Sequence, residues 1–230
     1  MNDEINRLIE PLYGAKVETS FATSGGSINQ TQVLSLTNGQ RVFCKRNPSP
    51  PADFFLAETR GLKLLAQAKC GPRIPKPIAV QPGSRPTFLL LEYIENSAED
   101  EKFAEQLAIS LAQLHRTSQE YYGLDHDNYI GSTPQKNTLE KDGIVFFRDQ
   151  RINFIRQLAR QSGLLPVSID KKLDLLCDKL GKFLNISEEK PALMHGDLWS
   201  GNYFPDRDGK PCVFDPAVYY GLREADLAMT

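Results

Sequence analysis

Three oxygen-bearing side chains near the end of the chain, Asp197, Asn202 and Asp215, have the spacing that phosphoryl transfer uses. Leu193-Met194-His195-Gly196-Asp197-Leu198-Trp199-Ser200-Gly201-Asn202 sets an Asp five positions before an Asn, and Cys212-Val213-Phe214-Asp215-Pro216-Ala217 sets a second Asp at the end of a short apolar strand. In that pattern the first carboxylate takes or orients a substrate hydroxyl, and the Asn and second Asp hold Mg²⁺ on the phosphates of a nucleotide. A tight loop would carry Asp197 and Asn202 on its two shoulders, and a turn from Asp206 to Gly209 would return the chain so that Asp215 lands beside them. A polar hairpin with a buried His would explain any one of these residues. It does not explain two correctly spaced elements together.

The partners of such a site lie near the other end of the chain. Val42-Phe43-Cys44-Lys45 reads as a strand ending in a phosphate-binding lysine, and Glu58 stands on the following helix where its ion-pair partner would be. Thr23-Ser24-Gly25-Gly26-Ser27-Ile28-Asn29 lies between the first two strands, where Ser24, Gly25 and Gly26 could lay backbone N–H groups over phosphates. By themselves two glycines among small polar residues describe many turns, and most lone Lys and Glu are solvated.

These side chains need a sheet and a helical body to hold them. Ile5, Leu8, Ile9 and Leu12 have helical spacing over residues 3–12, and Pro11 with Gly14 ends that helix. Val17 to Phe21, Thr31 to Leu36 and Arg41 to Lys45 read as strands, the last two joined by the tight-turn pair Asn38-Gly39. Asp53 to Ala68 reads as a helix with Asp53 as N-cap, and Gly-Pro-Arg-Ile-Pro-Lys-Pro at 71–77 is a rigid connector. Ile78 to Val80 and Phe88 to Ile94 complete a five-stranded antiparallel sheet. Composition then changes: residues 92–105 hold six carboxylates and one lysine, after which Lys102 to Thr117, Phe147 to Arg160 and Ile169 to Leu184 read as amphipathic helices. The expected class is α+β in two lobes, with an N-lobe at 1–94 and a helical C-lobe at 95–230.

Composition excludes other classes. The 230 residues carry 27 Lys and Arg against 29 Asp and Glu, with 40% hydrophobic and 24% charged residues, which is a near-neutral globular composition and not a disordered one. The longest apolar runs, such as Phe88 to Leu91, fall far short of the ~18–20 residues that cross a bilayer, and the acidic start does not resemble a secretory signal. The sequence therefore points to a cytoplasmic protein without a membrane partner. Cys44, Cys70, Cys177 and Cys212 are far apart and form no CxxC pair, so they read as reduced thiols. Residues 41–86 hold nine Lys or Arg against Asp53 and Glu58, which would help attract a nucleotide. The stretch lacks a nucleic-acid-binding motif, and no nucleic-acid partner is expected.

Taken together, the chain resembles the kinase-like small-molecule phosphotransferases, and within them the fructosamine kinase (ketosamine 3-kinase) family. The resemblance rests on His195-Gly196-Asp197-Leu198-Trp199-Ser200-Gly201-Asn202, on Asp215-Pro216-Ala217-Val218-Tyr219-Tyr220-Gly221, and on Tyr129-Ile130-Gly131-Ser132-Thr133-Pro134-Gln135. It implies a protein-kinase-like fold, with Asp197 as catalytic base, Asn202 and Asp215 as Mg²⁺ ligands, Lys45 paired with Glu58 on the phosphates of ATP, and the backbone of Glu92 and Ile94 on adenine. The implied reaction moves the γ-phosphoryl group of ATP to the 3-hydroxyl of a small or protein-bound ketosamine, whose product then releases the free amine; some relatives prefer ribulosamine or erythrulosamine. An aminoglycoside- or choline-type kinase shares the Asp and Asn layout but ordinarily lacks the Trp-Ser-Gly insert. A non-catalytic nucleotide-binding protein would have no chemical need for all five polar residues.

Further expectations concern single residues. Trp199 could stack on a sugar ring or fill the core; the first is favoured. His195 should brace the Asp197 loop, and Asp226 matches a residue that braces the same loop in kinase-like folds. His115 reads as a packed histidine at a helix C-terminus and not as a base, and His126 carries no signal. Ser27 stands where some family members carry a disulfide-forming cysteine, so no such redox switch is expected. Relatives continue beyond the point where this sequence stops, so Leu222, Leu227 and Met229 are expected to be exposed and to promote self-association.

Overall fold

The structure, a computed structural model, describes residues 2–23, 28–81, 83, 86–184, 186 and 189–230. Helix α1 (Asn2–Tyr13) buries Ile5 and Ile9, and Gly14 leaves it at φ +60°, a conformation that suits glycine after a helix. Strands β1 (Val17–Ala22), β2 (Gln30–Leu36) and β3 (Arg41–Asn47) follow, and Gly39 makes the β2–β3 turn at φ +83°. Helix α2 (Phe54–Leu65) and strands β4 (Pro77–Gln81) and β5 (Thr87–Glu92) complete a sheet of order β1-β2-β3-β5-β4, with every neighbour antiparallel. Ser24, Gly25, Gly26 and Ser27 lie outside the described residues.

Strand alternation decides which side chains face the site. Val42 and Cys44 of β3 and Phe88 and Leu90 of β5 pack with α1 on one face of the sheet. Leu89 and Leu91 pack with Phe54, Phe55 and Leu62 of α2 on the other, together with the partly buried Phe43. Each such burial stabilises by about 1.5–3 kcal/mol. Lys45 is two residues on from Phe43, so the same alternation delivers its side chain to the α2 face.

The second part begins with α3 (Phe103–Leu114) and the small hairpin β6 (Asn128–Ile130) and β7 (Thr133–Gln135). Helix α4 (Gly143–Phe146) runs through a π-helical stretch, Phe147–Asn153, into α5 (Phe154–Gln161), and α6 (Val167–Phe183) follows. The sequence starts this helix at Phe147; it starts earlier because Asp142 accepts the N–H groups of Ile144 and Val145 as a true N-cap. Short strands β8 (Ala192–Met194), β9 (Tyr203–Pro205), β10 (Pro211–Val213) and β11 (Tyr219–Gly221) and helix α7 (Glu224–Leu227) close the chain. Strand β8 pairs with β11 and β9 with β10, the latter through a turn in which Asp206 accepts the N–H groups of Asp208 and Lys210.

Two expectations need correction. Asp53 precedes α2 but makes no capping bond; its Oδ1 instead accepts the Tyr129 hydroxyl at 2.7 Å. Leu222 is not exposed. It is 5% accessible and packs with Tyr122, Phe146, Ala192, Met194 and Tyr219, whereas Leu227 and Met229 do remain accessible. The connector after α2 is stitched to the second part through backbone bonds, Arg73 N to Pro211 O at 2.8 Å and Val213 N to Arg73 O at 3.0 Å. The Arg73 guanidinium adds ion pairs to Glu92 and Asp206, both at 2.7 Å.

Candidate active site

Strand β8 is buried throughout and ends at Met194, just before His195, which is also fully buried. Gly196 follows at φ +82°. A Cβ built there would stand 2.0 Å from the Ala217 carbonyl oxygen, so the position requires glycine both for its backbone and for its space. Asp226 of α7, fully buried, accepts the N–H groups of His195 and Gly196 at 2.8 Å each and also meets His115 Nε2 at 3.0 Å. One carboxylate thus satisfies two donors of a backbone stretch that belongs to no sheet at that point.

His195 holds the loop from within. Its Nδ1 accepts the Asp197 N–H at 3.3 Å, which assigns the proton to Nε2, and Nε2 donates to the Phe214 carbonyl at 2.9 Å. Burial pushes its pKa down, against the pull of Asp226, in keeping with a neutral ring that both donates and accepts. His195 therefore ties the Asp197 loop to the residue before Asp215.

Asn202 is buried, and its Nδ2 donates to the Asp197 carbonyl at 2.8 Å and to Asp197 Oδ2 at 3.1 Å. With Nδ2 spent there, Oδ1 is the atom left for a metal. Burial pushes the Asp197 carboxyl above its ordinary range, and nearby Asp215 and Asp226 act the same way, while His195 and Asn202 oppose them. The Phe214 N–H donates to the Asn202 carbonyl at 3.0 Å, so the two halves of the site are joined again.

Asp215 adopts φ +57°, a left-handed conformation that Asp tolerates better than bulkier residues. Lys45 is 2% accessible and pairs with Glu58 Oε1 at 2.5 Å and with Asp215 Oδ1. Burial disfavours its charge, but Asp215 and Glu58 outweigh that and push its pKa up, so the ammonium stays charged. For Glu58 burial is the largest influence and raises its pKa despite Lys45. One cation between two carboxylates leaves a local excess of negative charge.

Lys45, Glu58, Asp197, Asn202 and Asp215 all line one cavity of about 150 Å³, with Phe54, Tyr129 and Trp199 on its walls. A neighbouring cavity of about 350 Å³ shares Thr31 and Asp215 and is lined by Val33, Phe43, Leu91, Glu92, Tyr93, Ile94 and Phe214. It is the more apolar of the two, as a purine ring requires. The Glu92 N–H is engaged with the Lys76 carbonyl at 2.8 Å, whereas among the described residues none accepts the Ile94 N–H. Trp199 is 51% accessible and its ring lies against Gly201, where any Cβ would fall 2.2 Å from it.

Among the described residues no group of three or more His, Cys, Asp and Glu forms a ready-made metal cage. Asn202 and Asp215 offer two hard oxygen donors, which fits Mg²⁺, a cation that takes its remaining ligands from phosphate and water. Three buried amides and the partly buried Arg151, which sequence reasoning left without a role, support the Asp215 loop. Gln135 Nε2 donates to the Ala217 carbonyl and to Asn128 Oδ1, both at 2.9 Å, and Asn128 Nδ2 donates to the Val218 carbonyl at 2.7 Å. Asn137 donates to Asn128 Oδ1 at 2.8 Å and accepts from Arg151, whose guanidinium lies 3.9 Å from the Tyr219 ring centroid. Only Gln135, inside a quoted motif, carried any signal in the sequence.

The family model for fructosamine kinase matches residues 1–230. A probable ketoamine kinase of Enterococcus faecium is 36% identical over 206 residues, covering 90% of this chain and 72% of that protein. The chloroplastic protein-ribulosamine 3-kinase of Oryza sativa is 35% identical over 221 residues, covering 94% of this chain and 63% of that protein. A crystal structure of a provisionally named fructosamine-3-kinase from Haemophilus somnus superposes with a TM-score of 0.85 at 30% identity, covering 97% of this chain and 75% of that one.

Proposed function

The chain belongs to the fructosamine kinase family, and on that footing we propose that Asp197, Asn202, Asp215, Lys45 and Glu58 are the working residues of an ATP-dependent ketosamine 3-kinase. Its fold is the protein-kinase-like two-lobe arrangement of an antiparallel five-stranded sheet and a mainly helical body. We place the boundary between the lobes after residue 94, where the sheet has ended and before α3 begins. The single observation that carries the site assignment is the convergence of all five residues on one cavity next to an apolar one.

In this reading the adenine of ATP occupies the apolar cavity, with the Ile94 N–H, unpaired among the described residues, and the Glu92 carbonyl as its backbone partners. Lys45, held by Glu58, neutralises phosphate oxygens. Asn202 Oδ1 and Asp215 would hold Mg²⁺, which would neutralise phosphate charge during the transfer. The acceptor hydroxyl stands at Asp197, whose raised pKa suits a base that takes the proton as the new O–P bond forms. The bond between the γ-phosphorus and the ADP oxygen breaks in the same displacement. Trp199 offers an accessible aromatic face to the sugar. Ser24, Gly25 and Gly26 remain the proposed phosphate loop.

The acceptor class follows the relatives, a probable ketoamine kinase and a protein-ribulosamine 3-kinase, and we assign a ketosamine, small or protein-bound, in preference to an aminoglycoside or choline. None of the described helices is long and apolar enough to cross a membrane. The four cysteines are free thiols, the form a reducing compartment keeps, and on that ground we propose a cytoplasmic setting. The test is ADP release with ribulosamine, fructosamine, an aminoglycoside and choline offered in parallel, with phosphorus NMR locating the new ester. Phosphorylation of a ketosamine at its 3-hydroxyl is expected; turnover confined to the aminoglycoside or choline overturns the assignment.

A further inference from the structure

Helix α2 carries Glu58, and its position therefore fixes where Lys45 points. It touches the second part of the molecule at both ends. At its C-terminal half Gly61 lies on the 216–218 loop so closely that a Cβ would stand 3.0 Å from Val218 Cγ2 and 3.7 Å from Pro216 Cγ. At its N-terminal end the contact is Tyr129. The Tyr129 hydroxyl donates to Asp53 Oδ1 at 2.7 Å, and its ring packs on Phe54 at a centroid distance of 5.1 Å. Both contacts lead back to one strand, because Asn128, the neighbour of Tyr129 in β6, holds the Val218 carbonyl. Asp53, with no capping bond to make, is free to serve as the acceptor.

We propose that Tyr129 and Asp53 form a latch that positions α2, and with it the Lys45–Glu58 pair, over the nucleotide phosphates. Strand β6 then acts as a bracket: one residue fixes the loop that carries Asp215, and the next fixes the helix that carries Glu58. Lys45 touches both of those carboxylates, so its geometry depends on the two being held in register. Burial and Asp53 push the Tyr129 pKa to about 12, so its hydroxyl remains a donor throughout the working pH range. The latch rests on the phosphotransferase reading of the site, since it acts on nucleotide affinity. It makes Tyr129 a positioning residue and not a catalytic one.

The test is a double-mutant cycle on the full chain with Tyr129→Phe, Asp53→Ala and the pair. Tyr129→Phe keeps the ring on Phe54, and Asp53→Ala removes no cap. The readouts are binding of a non-hydrolysable ATP analogue with Mg²⁺ and the steady-state constants for ATP and acceptor. Each single variant should weaken analogue binding and kcat/KM for ATP by about 5- to 10-fold, the loss of one hydrogen bond to a charged acceptor at an accessible site. The pair should be no worse than either alone, and the acceptor KM should stay within about twofold, well inside the change expected from a lost contact. Multiplying effects, or a silent Asp53→Ala, would overturn the latch. So would a rise confined to the acceptor KM, which would make Tyr129 a substrate contact. Analogue binding needs no acceptor, so the latch can fail while ketosamine phosphorylation stands, and the reverse.

Discussion

Replacing Asp226 by Asn probes how the Asp197 loop is held, because the amide keeps the size of the carboxylate but not its two acceptor atoms. In the native protein Oδ2 faces both the His195 N–H and His115 Nε2, and Oδ1 faces the Gly196 N–H. An Asn can present its one oxygen to the pair on Oδ2, but its NH₂ group then meets the Gly196 N–H donor to donor. One hydrogen bond is lost and one buried N–H is left without an acceptor, which costs about 1–3 kcal/mol. Loss of the carboxylate's charge from the two remaining bonds brings the expected total to roughly 2–4 kcal/mol. For a chain of this size that corresponds to a fall in Tm of about 4–15 °C. Relaxation at Gly196 displaces Asp197 directly, so turnover should fall by at least about tenfold, as a misplacement of ~1 Å commonly does. Thermal unfolding followed by circular dichroism and ADP-release kinetics read the two effects. A variant with parental Tm and kcat would refute the claim that this carboxylate holds the loop.

Asp197→Asn should slow turnover by about 10²–10⁴-fold with ATP binding retained, whereas Asp215→Asn should also weaken Mg·ATP; equal losses of nucleotide affinity in the two would reverse the roles assigned here. Because the Asp197 carboxyl is raised by burial and must be ionised to accept a proton, the acid limb of kcat/KM should lie above the ordinary Asp value of 3.8 and disappear in Asp197→Asn. His195 has its pKa lowered from 6.5 by burial, so the unfolded chain binds more protons below that pH, and stability should fall as pH drops through and below 6.5. His195→Asn, which can still accept the Asp197 N–H, should flatten that dependence in unfolding titrations. Gly196→Ala forces both a disfavoured φ and a contact at 2.0 Å with a backbone oxygen, and should be destabilised by roughly 3 kcal/mol or more, seen as a lower denaturant midpoint.

The sheet was legible because its signals are local. Asn38-Gly39 marks a turn by its own backbone preferences, and β5 reads as a buried strand from Phe88 to Leu91 alone. Asp197, Asn202 and Asp215 were legible as a set because each occupies a fixed offset in a short stretch. Asp53 misled, because the position before a helix favours Asp for capping, and no local pattern reveals a tyrosine that lies 76 positions away and claims its carboxylate. Leu222 misled in the same manner: its burial depends on Tyr122, Phe146 and Met194, which reach it only through the fold. The helix starts early, at Gly143, because Asp142 caps it, a signal that the reading from Phe147 did not use.

Asn128 and Asn137 carried no signal, and Gln135 carried one only as part of a motif, because buried amides have the composition of surface loops. Their burial has one physical cause. Residues 195–202 and 214–218 form the floor of the site as largely irregular backbone, much of it buried, where each buried N–H and C=O still needs a partner. A regular strand would satisfy those groups but would alternate Asp197 and its neighbours away from the cavity. Side chains therefore take the place of a ladder. Asp226 serves the N–H groups of His195 and Gly196, His195 serves the Phe214 carbonyl, Gln135 and Asn128 serve those of Ala217 and Val218, and Asn202 serves that of Asp197. Each of these bonds is worth only about 0.5–1.5 kcal/mol made and more if left unmade, so their main effect is to exclude other loop conformations. The amides that look least informative in the sequence are thus what allows three oxygen-bearing side chains to meet at one point.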